Sequence, residues 1–330
     1  MKQAPVLWLL GVLLLTSALA AAPSTPAQTG RFRAVILSDF NGPYGSTSYP
    51  APLARVMTRT LNEWQPDLFL SAGDVIAAQK RSLTDMNVRA MWRAFDQQVA
   101  GPLRRADIPF AFAVGNHDGS SARAGGQFSF ARDRQLLARY WNTPGKAPPL
   151  DFVDRSRFPF AFTFTFGGMF FAVVDASSHD LQDRTWLEMQ LASSAAQAAP
   201  MRMVIGHLPL YAVGMGRAGS GNVLAGAESL RAMLERYRVH TYVSGHHAAY
   251  YPARRGGLNL LATGGIGARD LLGFPGTARS TVTVADFDVR AGIIRLSTFD
   301  VETGRRIDED TLPARLGSGS TEIERVRKLR

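Results

Sequence analysis

Polar side chains that can bind a metal or transfer a proton follow five separate apolar segments of the chain. In four of the five, a glycine comes directly before the polar residue, and glycine lets the backbone turn sharply and lets a ligand approach closely. A single Gly-Asp or Gly-His pair after a strand is typical of a turn or of a structural histidine. Five such ends in one domain instead predict one shared site. The five groups are Asp39 with Asn41, Gly73-Asp74, Gly115-Asn116-His117-Asp118, Gly206-His207 and Gly245-His246-His247.

The residue types in these groups are those of a metal site. The chain has no cysteine, which excludes disulfides, thiolate metal ligands and cysteine nucleophiles. The remaining carboxylate, amide-oxygen and imidazole donors suit Mn, Fe, Zn or Mg. A bridging carboxylate can hold two such ions about 3.5–4 Å apart, the geometry that activates a water and clamps a phosphoryl group. The sequence therefore predicts a site for divalent metal ions.

The elements that must position these residues alternate between strand and helix. The apolar runs RFRAVILSDF, PDLFLSAGDV and IPFAFAVGNHDGS predict strands, and we expect helices over about 51–64 and 85–105. Later runs predict strands before His207 and His246, and a hairpin near Gly167-Gly168. This alternation is typical of an α/β sheet whose site lies beyond the carboxyl ends of its strands. Residues 119–158 form a long Arg- and Gly-rich insertion, and long loops in compact domains are often functional.

The order of the motifs, D-x-[HN], GD, GNH[DE], GH and GH, resembles that of the calcineurin-like metallophosphoesterases, which are dinuclear metal-dependent phosphatases. The resemblance covers roughly residues 31 to 300, and GNHD together with both upstream Asp motifs is a specific signal. It implies a four-layer α/β/β/α sandwich of two mixed sheets flanked by helices. It also implies two divalent ions (Mn, Fe, Zn or Mg) at the carboxyl ends of the strands.

The resemblance assigns roles to the motif residues. His117 would stand near the leaving group and stabilise charge or donate a proton, and Asp118 would orient its ring. A hydroxide that bridges the two ions would attack phosphorus directly, without a covalent enzyme intermediate. Asp74 would bridge the ions. The further ligands would be Asn116, His207 and His246 on the second ion, and Asp39 and Asn41 on the first.

Both departures from the family pattern fall on the first metal. Asn41 stands where the first motif usually has His, which would be a subfamily trait, and Ala248 stands in the ligand position of the last motif, GHHA. The remaining donors are hard oxygens, which favour Mg, Mn or Ca, so we expect the second ion to bind more tightly. Two alternatives stay open. His247 could replace the lost ligand, although adjacent side chains of an extended chain point to opposite faces, or Ala248 is an engineered substitution.

Other residues are weaker candidates for contact with a metal or a phosphate. Tyr44 follows the first motif, and an ordinary turn residue is the alternative. The segment 263–269, TGGIGAR, either presents backbone N–H groups to a phosphate or forms a plain glycine turn. His179 and His240 are expected to be structural. Arginines of the insertion either grip a substrate phosphate or lie on the solvated surface. These are Arg123, Arg132 and Arg134.

The N-terminus predicts export. Its early Lys2, short apolar run and small residues near Ala20 match the three parts of a secretory signal peptide. The apolar run is short for a membrane span, so cleavage is favoured over an uncleaved anchor, and no stable span is expected afterwards. The mature protein would then be periplasmic or extracellular. The predicted divisions are a signal peptide (1–22), a flexible leader (23–30), the metallophosphoesterase domain (31–300) and a loose, polar and basic tail (301–330).

The charge of the chain favours an anionic partner. The net charge is +10, and 33 of the 37 basic residues are arginine. This basicity suggests contact with anions such as phosphate esters, with a general bias towards arginine as the alternative. The first hypothesis is an exported phosphoesterase that hydrolyses phosphomonoesters or phosphodiesters of a small molecule or polymer, with nucleic acid only as a substrate. The second is a catalytically weakened relative that binds a phosphorylated ligand.

Overall fold

The computed structural model describes residues 30–330. The predicted signal peptide and residues 23–29 of the predicted leader lie outside the described residues. Apolar runs become strands where successive side chains can be buried on one or both faces. The strands are β1 (Arg31–Ile36), β2 (Leu68–Ser71), β3 (Phe110–Phe112), β4 (Arg123–Ala124), β5 (Gln127–Phe128), β6 (Asp151–Arg157), β7 (Ala161–Phe166), β8 (Met169–Val173), β9 (Arg202–Ile205), β10 (Thr241–Ser244), β11 (Tyr251–Arg255), β12 (Leu258–Ala262), β13 (Thr281–Asp288), β14 (Ile293–Asp300), β15 (Arg315–Leu316), β16 (Ile323–Arg325) and β17 (Lys328–Leu329).

The helices lie between these strands. One π-helical turn, Thr60–Trp64, extends the first helix, and another, Asp96–Ala100, joins the second to the third. The helical segments predicted over 51–64 and 85–105 are therefore both continuous. No helix within residues 30–330 combines the length and hydropathy that crossing a bilayer requires. The helices are α1 (Ala51–Arg59), α2 (Asp85–Phe95), α3 (Gly101–Arg105), α4 (Asn116–Gly119), α5 (Ala131–Trp141), α6 (Arg184–Ala192), α7 (Ser194–Ala198) and α8 (Ala227–Arg236).

Two mixed sheets carry the fold. The first has six strands in the order β17-β14-β13-β1-β2-β3, and the second has nine in the order β15-β16-β11-β12-β10-β9-β8-β7-β6. Strands β1, β2 and β3 are parallel, with Val35 beside Phe69 and Leu70 beside Ala111. Strands β8, β9, β10 and β12 are also parallel. Because parallel neighbours end at the same edge, each sheet presents a row of carboxyl ends.

Alternation along β8 shows how the layers are separated. Met169, Phe171 and Val173 belong to the core between the sheets, whereas Phe170 and Ala172 belong to the core beneath α6 and α8. Across the inner core, the rings of Phe32 in β1 and Phe171 in β8 meet edge to face, with centroids 6.5 Å apart. Helices α1 and α2 pack on the first sheet. The predicted four-layer α/β/β/α sandwich is confirmed.

The segment after residue 300 is ordered, which the sequence did not predict. Strands β15 and β16 pair with each other and extend the second sheet beside β11, while β17 pairs with β14 at the edge of the first sheet. Leu316, Ile323 and Leu329 are buried. Residues 301–330 thus cover strand edges of both sheets. The prediction of a loose tail is wrong.

Candidate metal centre

The carboxyl ends of five strands deliver the predicted ligands to one place. Strands β1, β2 and β3 of the first sheet precede Asp39, Asp74 and Asn116, and strands β9 and β10 of the second sheet precede His207 and His246. The backbone of Asp39, Asp74 and His246 is left-handed, with φ of 50°, 57° and 65°. Non-glycine residues adopt this conformation seldom, and it concentrates at functional sites. Here it turns each ligand sharply away from its strand.

Two glycines allow the ligand-bearing loops to approach closely. A Cβ on Gly115 would lie 2.2 Å from both the backbone nitrogen and the Oδ1 of Asp74. A Cβ on Gly245 would lie 2.5 Å from Oδ2 of Asp39. Both distances are well inside van der Waals contact, so any side chain at these positions would push the loops apart. The glycines of the GNHD and GHH motifs therefore set the size of the site.

Four donor groups converge on one point. Oδ1 of Asn116 lies 2.8 Å from Nε2 of His207 and 2.8 Å from Nδ1 of His246. Oδ2 of Asp74 lies 3.4 Å from Nε2 of His207. The ligand atoms of Asp74, His207 and His246 all lie within 4.8 Å of one another. One carboxylate oxygen, one amide oxygen and two imidazole nitrogens are the donors expected for a divalent transition metal.

Hydrogen bonds at the far side of each ligand turn lone pairs towards this point. Nδ1 of His207 lies 2.6 Å from the carbonyl oxygen of Ala72, so it donates there and leaves Nε2 as an acceptor. Nε2 of His246 lies 3.3 Å from Oδ1 of Asn222, an oxygen that already accepts from Arg217, so Nδ1 of His246 is likewise an acceptor. Unpaired acceptors that face one another repel unless a cation or a proton lies between them. The residues therefore fit a divalent ion, held and oriented by a supporting shell.

Gln79 completes that supporting shell. Its Oε1 accepts from Nδ2 of Asn116 at 2.6 Å. This bond fixes which end of the Asn116 amide faces the two histidines, because the amide nitrogen is held on the opposite side. Gln79 lies on the loop after β2 and was not identified from the sequence.

The charges of the site agree with a cation-binding role. Burial would lower the pKa of His207, but the charges of Asp74 and Asp39 outweigh burial and raise it to about 9. Burial would raise the pKa of Asp74, but the charges of His207 and His117 lower it instead. Burial and the charge of His207 lower the pKa of His246 to about 2. In the metal-free protein, a proton on His207 thus balances the Asp74 carboxylate, and a divalent ion would displace it.

The first-metal side of the site is poorer in donors. Oδ2 of Asp39 accepts from the backbone N–H of His246 at 3.0 Å and from the Ser38 hydroxyl. Burial, against the opposing charge of His207, raises the pKa of Asp39 to about 7. Asn41 lines the same cavity, and so does Ala248, which offers no donor atom. Among residues 30–330, the predicted donors on this side are oxygens: those of Asp39, Asn41 and the shared Asp74.

His117 faces the cavity beside the metal ligands. Its Nε2 lies 3.9 Å from Oδ2 of Asp74, and its backbone N–H donates to Oδ1 of Asp74 at 2.8 Å. The exposed ring of Tyr44 packs on the imidazole, with centroids 4.8 Å apart. Nδ1 of His117 is buried and has no hydrogen-bond partner in the described part of the chain.

The family resemblance implied that Asp118 orients the His117 ring, but in the structure its carboxylate is bonded elsewhere. Its buried carboxylate accepts four backbone N–H bonds at 2.8–3.0 Å, from Gly115 and from three consecutive residues that begin at Asp74. Helix α4 turns the side chain back towards the loop after β2, away from the histidine. Asp118 therefore ties the GD loop to the GNHD loop, and it acts on the ligands through their backbone.

The ligands open into a cavity of about 640 Å³. Its walls come from the loops that follow the strands and from the start of the insertion. Besides Asp39, Asn41, Asp74, Asn116, His117 and His246, it is lined by Tyr44, Gln79, Ser120, Ser121, Arg123, Ser177, Ser178, His179, Asp180, Gln182, Arg217, Asn222, Ala248 and Arg269.

Comparison with known proteins shows which family has this arrangement of residues. A model of the calcineurin-like phosphoesterase family matches residues 32–250, more than half of the chain. The chain belongs to the calcineurin-like phosphoesterase family. The match contains every predicted metal ligand as well as His117, Asp118 and Ala248. A comparison with curated protein sequences gives no significant match.

Several solved structures share the fold. One is GAP50, described as the anchor in the inner membrane complex of Plasmodium, with 15% identity, 84% of this chain and 87% of that chain covered, and a TM-score of 0.52. Another is PhoD, with 12% identity, coverage of 87% and 73%, and a TM-score of 0.55. A dimetal phosphatase from Danio rerio has 12% identity, coverage of 90% and 98%, and a TM-score of 0.51. At these identities the likeness concerns the fold alone.

His247 does not supply the histidine ligand that the family motif lacks here. Its Nδ1 accepts from the backbone N–H groups of Val213 and Gly214, each at 3.2 Å, and its Nε2 donates to the carbonyl oxygen of Asn222 at 2.8 Å. The side chain is completely buried. Both ring nitrogens are thus engaged away from the cavity, as adjacent positions on an extended chain lead one to expect.

The weaker candidates divide into cavity and structural residues. Arg123 lines the cavity, but Arg134 is buried in an ion pair with Asp175 at 2.7 Å, and Arg132 bonds to Asp133 and to backbone carbonyls. Tyr44 and His179 also line the cavity, whereas His240 contacts Thr241 and Gly292. Segment 263–269 reaches the cavity through Gly267 and the Arg269 side chain. Sequence reasoning missed Gln79, Asn222 and Arg217, and it named the segment that contains Arg269 only for its backbone N–H groups; the available signal was the glycine-rich composition around Arg217, Asn222 and Arg269.

Proposed function

We propose that this protein is an exported, metal-dependent phosphoesterase that hydrolyses phosphomonoesters or phosphodiesters with a metal-activated water. The observation that carries the proposal is the set of four lone-pair donors of Asp74, Asn116, His207 and His246 that converge at the cavity. Membership of the calcineurin-like phosphoesterase family supports the same chemistry.

The side chains around the ion have distinct tasks in this proposal. The four donors would hold a divalent ion, which would supply an activated water and neutralise charge on the phosphoryl group. Asp74, with its lowered pKa, stays ionised and holds the negative charge that attracts the ion. His117 faces the cavity between Tyr44 and Asp74, where it stabilises charge on the leaving oxygen or donates a proton to it. Asp118 keeps the two ligand loops in register through its four backbone bonds.

We infer two metal sites of unequal strength. The second site has two imidazoles with a supporting shell, and the first has only the oxygens of Asp39, Asn41 and Asp74. Oxygen donors favour Mg, Mn or Ca, whereas the mixed set also accepts Fe or Zn. The first site is therefore proposed to fill only in excess metal.

Export and substrate class complete the proposal. The signal-peptide pattern of residues 1–22 supports a periplasmic or extracellular protein, and the net charge of +10 supports an anionic substrate. A phosphorylated small molecule or polymer fits both features, and nucleic acid enters only as a substrate.

The test is hydrolysis by the purified mature protein of p-nitrophenyl phosphate and bis(p-nitrophenyl) phosphate. Each ester is assayed with Mn, Mg, Zn and EDTA. We expect turnover with metal, none with EDTA, and a large loss in Asp74→Asn, which keeps the shape of the side chain but removes its charge. A folded protein that hydrolyses neither ester with any metal would overturn the proposal.

Ala248 supports a second candidate, a weakened relative that binds a phosphorylated ligand without turning it over. Its first-metal side lacks the family's imidazole, and His247 does not replace it. Ala248→His separates the two candidates, with Ala248→Gln as a control of similar size. A large gain in hydrolysis in Ala248→His alone favours the weakened relative. If the parent protein is active and Ala248→His hydrolyses no faster, the result favours a phosphoesterase that is functional with alanine at position 248.

A further inference from the structure

Two arginines that line the metal cavity, Arg217 and Arg269, form no ion pair within residues 30–330. The Nε of Arg269 is buried and unbonded, and its guanidinium forms no hydrogen bond or ion pair within residues 30–330. Arg217 donates only to Oδ1 of Asn222, at 2.7 Å, and also forms no ion pair within that range. A buried arginine is almost always paired, as Arg134 is with Asp175. Arg217 and Arg269 are only partly buried, but they bring two guanidinium groups to the cavity that no carboxylate of residues 30–330 holds in an ion pair.

Both arginines line the same cavity as Asp39. Burial and then the like charge of Arg217 lower the pKa of Arg269, and the charge of Asp39 opposes that change. Arg217 also lowers the pKa of His246. Two cations and the first-metal carboxylate thus line one cavity. The repulsion between the two cations is unfavourable in the empty site, and an anion bound between them would offset it by its attraction to both.

The fold holds both arginine-bearing segments in place. The backbone N–H of Met215 donates to the carbonyl of Asp270, and that of Leu272 donates to the carbonyl of Val213, both at 2.8 Å. These bonds bracket a further bridge between Gly214 and Leu271. The two arginines therefore project from loops that are bonded to each other.

Small residues make room for the Arg269 side chain. A Cβ on Gly214 would lie 2.8 Å from Cδ of Arg269, so the Arg269 side chain packs directly against this glycine. The backbone N–H of Arg269 donates to the carbonyl of Ala248 at 2.9 Å. Arg269 is thus anchored on the residue that stands in the missing ligand position.

We propose that Arg269 and Arg217 bind the non-bridging oxygens of the substrate's phosphoryl group, with Arg269 supplying, beside Asp39, positive charge that the donor-poor first metal site lacks. A guanidinium matches two phosphoryl oxygens through parallel N–H bonds. Two such groups beside a divalent ion suit a dianionic terminal phosphate better than a monoanionic diester. The inference rests on the proposed function and adds to it a preference for phosphomonoesters.

The test is the affinity of the metal-free mature protein for inorganic phosphate, measured by isothermal titration calorimetry. Removing the metal makes the readout independent of turnover. We expect Arg269→Gln and Arg217→Gln each to weaken phosphate binding by roughly tenfold or more, as for loss of a charge-assisted contact. Arg279→Gln is the matched control, because Arg279 is exposed, follows the same loop and does not line the cavity. It should bind phosphate as the parent does.

The Mn-loaded proteins give a second readout. The ratio of kcat/KM for p-nitrophenyl phosphate to that for bis(p-nitrophenyl) phosphate should fall in Arg269→Gln and stay unchanged in Arg279→Gln. Circular dichroism and a melting curve confirm that each variant is folded.

The outcomes separate this inference from the proposed function. A parent protein that binds no phosphate without metal, or variants that bind it as tightly as the parent or weaken no more than Arg279→Gln, would overturn the arginine site. Phosphate binding that depends on Arg269, in a protein that hydrolyses no ester with any metal, would overturn the proposed function and leave the arginine site standing.

Discussion

Gln79 offers a sharp test of the metal site because its side chain bonds to the ligand Asn116 and is not itself one of the four proposed donors. In Gln79→Leu, the Nδ2 of Asn116 loses the acceptor that now holds it at 2.6 Å. The amide can then rotate its oxygen away from Nε2 of His207 and Nδ1 of His246, each 2.8 Å away. Loss of a bond that orients a ligand typically lowers metal affinity about 10–100-fold, which is about 1.4–2.7 kcal/mol of binding free energy.

The assay is Mn titration of the metal-free protein by calorimetry, with the apparent Kd as the readout. Gln79→Glu is the matched control, because its carboxylate still accepts from Asn116 and adds negative charge near the ion. We expect Gln79→Glu to bind Mn at least as tightly as the parent. If Gln79→Leu were folded and bound Mn with the parent's affinity, Asn116 would not be a ligand oriented by Gln79.

Two further predictions concern the framework of the site, and a third concerns an ion pair outside it. Asp118→Ala leaves four buried N–H groups without an acceptor, so urea unfolding should show a loss of about 3 kcal/mol or more; a loss well below 1 kcal/mol would contradict the clamp. Gly115→Ala places a Cβ against Asp74, so elemental analysis should find little bound Mn in this variant, and full metal content would contradict the close approach. The pKa of Asp96 is lowered, against burial, by Lys146 and Arg104, so its stabilisation is present above the unfolded pKa and lost as the pH falls. Asp96→Asn should therefore cost about 0.5–1 kcal/mol near neutral pH, and this cost should shrink as the pH falls below the unfolded pKa and then through the lower folded pKa; a cost that stays constant over that range would refute the pairing.

The ligand set could be predicted from the sequence because its elements are local. Buried parallel strands appear as apolar runs, and each polar residue directly after such a run is delivered to the same edge of a sheet. The family resemblance then assigned roles to Asp39, Asp74, Asn116, His207 and His246. The structure brings these residues together around one cavity.

The remainder depends on three-dimensional contacts that no local pattern encodes. Asp118 sits in a helical turn whose direction decides whether its carboxylate meets His117 or the loop after β2. Arg217 and Arg269 are 52 positions apart in the sequence and line the same cavity because their loops bond to each other. The strands of residues 301–330 were not predicted because two or three residues are too few to show the alternation of apolar and polar side chains. Single buried residues such as Leu329 hold these strands in place.

The central claim is that Asp74, Asn116, His207 and His246 hold a divalent ion. Its most direct test is elemental analysis of the purified mature protein after Mn loading and exhaustive dialysis, beside Asp74→Asn treated identically. We expect about one tightly held ion per chain in the parent and nearly none in the variant. Equal metal content in the two proteins, or a folded parent that retains no metal at all, would contradict it.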